Sequence, residues 1–166
     1  MPARRTRDDR GTAVVEFALV VPFLILLLFG ITTTGLTYSD HLAITNAVRE
    51  GARFGSAVDY TDPNWASDIQ KRVGDVYFNS GSSLTTANVC IKLISQTSGE
   101  LITAGTSCGT EPTFATADIP AAGCIVKVWV VKSAKIETII GPTMNFNIGA
   151  SSVSYYGRQV GSCQAK

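Results

Sequence analysis

The chain has 166 residues, of which 45% are hydrophobic and only 16% are charged, and its formal net charge is +1. The first eleven residues hold four arginines and two aspartates, so the remaining chain carries a net charge of −1. This near-neutral remainder lacks the clustered basic surface that nucleic-acid binding needs. The length suits either one sizeable domain or a membrane helix with a modest head.

A long apolar segment begins close to the N-terminus. No charged side chain occurs from Phe17 to Ser39. As a helix this stretch would extend about 35 Å, enough to cross a bilayer core of about 30 Å with its backbone amides paired internally. We therefore predict a transmembrane helix over residues 12–36. Pro22 lies within it and would kink the helix unless the carbonyl that it frees finds a partner.

The residues on either side of the span indicate its orientation. Asp40 and His41 follow the span, whereas four arginines precede it: Arg4, Arg5, Arg7 and Arg10. Because positive residues favour the cytoplasmic side, we expect the N-terminus in the cytoplasm and the head in the periplasm or outside the cell. A cleaved secretory signal is the alternative. The apolar run is longer than a typical signal core, and no clear cleavage site follows Ile31.

Beyond the span, small and apolar side chains form a stripe at helical spacing: Ala43, Ile44, Ala47, Val48, Gly51, Ala52 and Gly55. The pattern predicts that one helix continues through residues 12–57, its extracytoplasmic part being 37–57. The stripe can pack on the protein's own head or bind a partner, and packing on the head is favoured. Asp62 and Pro63 are typical of a helix start, so a second helix is predicted over 63–78.

After Asn88 the apolar period changes to that of strands. Alternating residues predict a strand over 89–95, a short return strand at 101–103, and further strands near 124–132 and 146–156. A loop over 104–122 is rich in Gly, Thr, Pro and Ala and is expected to need a cysteine bridge to hold its shape. The fold class is therefore α+β, with a long N-terminal helix packed on a small antiparallel sheet. The head comprises residues 37–166, with its strands in 86–160.

Four cysteines lie in this head: Cys90, Cys108, Cys124 and Cys163. They form no C-x-x-C motif, and in an oxidising compartment they are expected to pair as two disulfides. Four buried thiols are the alternative. Three connectivities are possible. Chain order weakly favours Cys90–Cys108 and Cys124–Cys163.

Residues typical of catalysis are scarce. His41 is the only histidine, so no Ser-His-Asp or Cys-His arrangement can be assembled readily, and no phosphate-binding glycine loop occurs. Four aspartates make a calcium site conceivable but poorly supported: Asp59, Asp62, Asp68 and Asp75. We expect no enzyme activity, no cofactor and no metal site.

The residues around the start of the span resemble a known processing motif. Gly11-Thr12 followed by Glu16-Phe17 is similar to the prepilin-peptidase site of tight-adherence (Flp-type) pilins. The later VVPFLILLLFGI and AITNAVREGARFG resemble the TadE-like pseudopilin family in particular, so that the likeness covers residues 11–55. The resemblance implies cleavage between Gly11 and Thr12, which would remove a basic leader of residues 1–11. It also implies that the α+β fold is pilin-like. The protein would be a minor pilin or pseudopilin whose partners are other pilins, a prepilin peptidase, the inner-membrane assembly platform and membrane lipid.

Glu16 would be the fifth residue of the processed chain. Carboxylates within a membrane are costly and usually paired. The resemblance implies that the new α-amine at Thr12 of a neighbouring subunit pairs with Glu16 and sets the register of assembly. The alternative is that Glu16 has no role in assembly and lies at the lipid headgroup interface near Arg10. Two other functions stay open. One is an unprocessed, membrane-anchored periplasmic binding module, and the other is a secreted domain released by signal peptidase.

Overall fold

A helix of 49 residues, α1 (Asp9–Ala57), opens the described part of the chain and includes Pro22. The computed structural model describes residues 9–78, 84–96, 98–113, 123–136 and 144–156. After α1 come α2 (Trp65–Phe78), a single 3-10 turn (Thr86–Asn88) and the strands β1 (Val89–Ser95), β2 (Gly99–Ala104), β3 (Cys124–Ile136) and β4 (Met144–Tyr155).

The four strands form one antiparallel sheet in the order β2-β1-β3-β4. In the middle of the sheet Ile91 of β1 faces Val128 of β3, which faces Ser152 of β4. The pairing of β1 with β2 is irregular between Leu93 and Ile94. With the long helix and the short second helix, this sheet confirms the predicted α+β, pilin-like fold class.

The chain divides into two compact units, residues 1–38 and 39–166. All described residues of the first unit belong to α1. The second unit is the head, which contains the remainder of α1, the second helix and the sheet.

The core of the head lies between its two helices and one face of the sheet. The helices contribute fully buried Ile44, Ala47, Val48, Ala52, Ile69, Val73 and Tyr77, and the sheet contributes Val89, Ile91, Leu93, Val126, Val128 and Val130. Trp65 is buried beside them and donates its indole N–H to the carbonyl of Gly55 at 3.0 Å, so its polar atom is satisfied. Each large apolar side chain buried here stabilises the head by roughly 1.5–3 kcal/mol.

Two glycines allow α1 to approach its neighbours closely. A Cβ atom added at Gly55 would lie 2.5 Å from Cδ1 of Ile69 in α2 and 3.1 Å from Cγ1 of Val126 in β3. An added Cβ at Gly51 would overlap Val73. The small-residue stripe of this helix is therefore used for packing within the head, as the favoured interpretation of the sequence had it.

The second helix begins at Trp65, two residues later than the sequence pattern predicts. The carboxylate of Asp62 accepts a hydrogen bond from the backbone N–H of Asn64 at 2.8 Å, and the Asp62 carbonyl accepts one from Trp65 N–H at 3.0 Å. Asp62 thus stabilises a turn that precedes the helix.

Candidate functional site

The N-terminal unit exposes an apolar surface. Phe17 is 67% exposed and Phe23 is 72% exposed, and large aliphatic side chains are exposed along the same segment as far as Leu36. In the part of the chain that the structure describes, one helix is long and apolar enough to cross a membrane, and none of its most apolar window is buried in the protein. An exposed apolar surface of this kind is suited to contact with lipid or with other apolar helices.

Threonine hydroxyls near the end of this segment bond to their own helix. Thr32, Thr33 and Thr34 donate to carbonyls four residues earlier, at distances of 2.8, 2.8 and 2.7 Å. Thr37 donates to the carbonyl of Thr33 at 3.0 Å. These hydroxyls therefore need no water, which makes the segment compatible with a hydrocarbon environment.

The predicted processing residues Gly11, Thr12, Glu16 and Phe17 all lie on α1, and all are exposed. The Gly11–Thr12 peptide bond falls in the first turn of the helix as the structure has it. Because Thr12 and Glu16 are four residues apart, they lie on the same face of the helix, one turn from each other. The four residues of the motif thus lie within about two turns of one helix.

Cys90 of β1 and Cys108 form a disulfide, with their Cα atoms 5.6 Å apart. Cys124 is also disulfide-bonded. Cys163, its favoured partner in the sequence analysis, lies outside the described residues.

A polar cluster that the sequence analysis missed joins three elements of the head. The ammonium group of Lys132 donates to the Tyr77 hydroxyl at 2.7 Å and contacts a carboxylate oxygen of Asp40 at 3.3 Å. Tyr77 in turn donates to Asp40. Burial disfavours the charge on Lys132, but the bonds to Tyr77 and Asp40 outweigh that effect, so the pKa of Lys132 is raised. No local signal links Asp40 and Lys132 in the sequence.

The four aspartates considered for a calcium site make local hydrogen bonds or lie exposed on a helix. Asp59 accepts hydrogen bonds from the backbone N–H and the hydroxyl of Thr61, at 3.0 and 2.9 Å. Asp62 stabilises the turn before α2, while Asp68 and Asp75 lie exposed in that helix. Within the described ranges, no three His, Cys, Asp or Glu side chains could hold a metal ion together. The lone histidine, His41, is exposed beside the polar cluster's Asp40.

A long helix that could anchor the chain in a membrane, together with an α+β head, is a pilin-like arrangement. Residues 11–53 match the family model described as TadE-like protein, the same family that the sequence resembles. The match spans 43 of the 166 residues, lies wholly within α1 and includes Gly11, Thr12, Glu16 and Phe17. A comparison with curated proteins and another with solved structures found no match.

Proposed function

We propose that this protein is a minor pilin or pseudopilin of a tight-adherence pilus assembly system. It is anchored in the cytoplasmic membrane by the apolar part of α1, and its head faces the periplasm or the exterior. The observation that carries the proposal is the family match over 11–53, because it falls on the exposed apolar helix and contains Gly11 and Glu16.

Processing by a prepilin peptidase changes the charge of the helix start. Cleavage between Gly11 and Thr12 removes the leader with its four arginines and leaves a new α-amine on Thr12. In a low-dielectric surrounding, an amine and a carboxylate attract each other far more strongly than in water. The amine of one subunit therefore pairs with Glu16 of the next and fixes the register of neighbouring helices.

Lateral packing of α1 supplies the rest of the assembly contact. Gly30 and Thr34 are four residues apart and lie on one side of the helix, where small side chains allow another backbone to approach. They line a shallow exposed groove together with Leu27, Ile31, Gly35 and Tyr38. Other pilins and the inner-membrane platform are the partners in this proposal, and the role is assembly rather than catalysis.

The test is the N-terminal sequence of the mature protein isolated from its native membrane. We expect a start at Thr12. A start at Met1 would favour the unprocessed binding module, and a start beyond Ile31 would favour the secreted domain released by signal peptidase.

A matched pair of glycine variants sharpens the test. Gly11 and Gly30 both lie on α1, and an added Cβ at either would meet no atom within 4 Å. Neither alanine substitution therefore disturbs packing in the protein. We expect Gly11→Ala to leave the leader attached and Gly30→Ala to be cleaved normally. Equal cleavage of both variants would contradict processing at this bond.

A further inference from the structure

The face of the sheet opposite the helices is covered by a short segment. We call residues 105–113, which follow β2, the strap. Trp129 of β3 donates its indole N–H to the strap carbonyl of Cys108 at 3.1 Å. An added Cβ at Gly109 would lie only 3.1 Å from a methyl group of Val131, so the strap backbone lies directly on the sheet. This cover explains why the face of β3 opposite the helices carries apolar side chains such as Ile125 and Trp129, which are buried although the helices do not cover them.

The strap also supplies the charge partner of a buried lysine. Lys127 of β3 is only 2% exposed, and its ammonium group pairs with Glu111 of the strap at 2.9 Å. The same ammonium donates to the carbonyl of Pro112. The other carboxylate oxygen of Glu111 pairs with Lys92 of β1 at 2.9 Å. Removing the strap would therefore leave Lys127 without these partners unless water reached it.

One covalent bond fastens the strap to the sheet. Cys90 lies near the start of β1, an inner strand of the sheet, and it is bonded to Cys108 near the middle of the strap. At the base of the strap, Thr106 and Ser107 donate their backbone N–H groups to the carbonyl of Ala87, at 3.2 and 2.9 Å. Other contacts of the strap include the indole hydrogen bond, the bond from Lys127 to the carbonyl of Pro112 and the ion pairs of Glu111, whose side chain is 38% exposed. Water can reach the half-exposed Glu111 carboxylate and compete for its ion pairs, whereas the disulfide opens only by reduction. The disulfide is therefore the restraint on which closure of the strap depends.

We propose that the strap is a redox-controlled lid over the Trp129 and Lys127 face of the head. With the Cys90–Cys108 disulfide intact the lid is closed. A dithiol reductant opens it: one thiolate attacks the disulfide, the second thiol of the reductant resolves the mixed disulfide, and two electrons and two protons pass to the cysteines. Closing requires a disulfide donor, which accepts the same electrons and protons. The inference goes beyond the proposed function and does not depend on how the N-terminus is processed.

The two tryptophans of the chain report on opposite faces of the sheet. Trp65 is 1% exposed in the helix-side core, and Trp129 is 3% exposed beneath the strap. In the full chain, Trp65→Phe leaves Trp129 as the reporter, and Trp129→Phe leaves Trp65. Each tryptophan variant is combined with the double substitution Cys90→Ala and Cys108→Ala. This double substitution removes the Cys90–Cys108 disulfide and leaves the disulfide of Cys124 intact.

Acrylamide quenching of the remaining fluorescence then tests the lid. We expect removal of the Cys90–Cys108 bond to raise the quenching constant of Trp129 by about threefold or more while that of Trp65 stays unchanged, because only the strap opens. An unchanged Trp129 would overturn the proposal. Equal increases at both tryptophans would overturn it too, since the bond would then support the whole head.

Hydrogen exchange provides a second measurement that needs no tryptophan variant. In the full chain carrying the two cysteine substitutions, we expect amides of the strap to exchange about tenfold faster or more, with α2 unchanged. As a matched variant, Glu111→Gln with the disulfide intact should loosen the strap less than loss of the disulfide does. If Glu111→Gln opened the strap as fully as the cysteine variant, the ion pairs rather than the disulfide would control it, and the redox lid would be wrong.

Discussion

Gly51 of α1 faces Val73 of α2 so closely that an added Cβ atom would overlap the Cγ2 methyl of Val73. Valine is stiff about χ1, so this methyl group has no easy way to move aside. We predict that Gly51→Ala lowers the free energy of unfolding of the head by about 1–3 kcal/mol, the usual cost of overpacking. Chemical denaturation of the full chain in detergent measures it.

Gly74 provides the matched control for this substitution. It lies in α2, and an added Cβ there would meet no atom within 4 Å. Gly74→Ala should therefore stabilise the head by about 0.5–1 kcal/mol through helix propensity alone. Stabilisation by both alanines would show that the two helices do not need close approach at Gly51.

The polar cluster of Tyr77, Asp40 and Lys132 gives a second prediction. Tyr77→Phe removes the hydroxyl that bonds to both partners and leaves two half-buried charged groups with fewer hydrogen bonds. We expect a loss of about 1–3 kcal/mol in the free energy of unfolding, the cost of unsatisfied polar groups. Tyr38→Phe, at an exposed tyrosine, should change it by less than about 0.5 kcal/mol. Equal effects of the two variants would contradict a stabilising role for the cluster.

The pH dependence of stability should report Glu50. Hydrogen bonds from Arg53 and Arg72 lower the pKa of Glu50 to about 2. Because the folded pKa lies below the unfolded value of about 4.3, the stabilisation is fully present above that value. It is lost as the pH falls from there to about 2. Since both arginines are largely exposed, solvent screening limits the effect to about 1 kcal/mol or less.

Glu50→Gln checks this prediction. At pH 6 the variant should be less stable than the natural chain. Most of the difference should disappear by pH 2, where Glu50 is protonated in the unfolded chain and about half protonated in the folded one. Urea denaturation at several pH values measures the difference in free energy of unfolding between the two chains. High salt at pH 6 should reduce this difference. A difference in stability that is as large at pH 2 as at pH 6 would have another cause than the charge of Glu50.

A fourth prediction concerns assembly and rests on the proposed function. Glu16→Gln keeps the size of the side chain but removes its charge, so we expect normal cleavage at Thr12 together with weaker self-association of the processed chain. A loss of tenfold in association corresponds to about 1.4 kcal/mol. Cross-linking in membranes and intact mass measure the two effects separately. Glu50→Gln, in the head, should leave association unchanged.

Local periodicity was sufficient to predict the part of the head in which the helices pack on the sheet. The small stripe that contains Gly51 and Gly55 predicted a buried helix face, and the alternation from Cys124 to Val130 predicted a strand with one face in the core. Both signals repeat within a few residues, and the burial of a face follows directly from such a repeat.

The outer half of the head depends on pairs that are distant in sequence. The composition of the 104–122 loop indicated only a loop that needs a bridge, whereas the structure lays its first part across the sheet through Glu111 and Lys127. Asp40 and Lys132 are 92 residues apart. No local pattern encodes which of several charged residues will meet across a sheet, so these contacts appear only once the topology is known.

The two outer strands of the described sheet differ in a way that matters for handling the protein. β2 has six residues, includes Glu100 and pairs irregularly. β4 has twelve, MNFNIGASSVSY, with no charge and no proline, and its register with β3 is unbroken. Natural sheets usually protect such an edge strand from pairing with another chain by means of lysine, proline or a bulge. In concentrated preparations, edge-to-edge pairing between the sheets of two molecules should therefore begin along β4. Ser151 of β4 is exposed, and Ser151→Lys is a simple substitution that should oppose this aggregation.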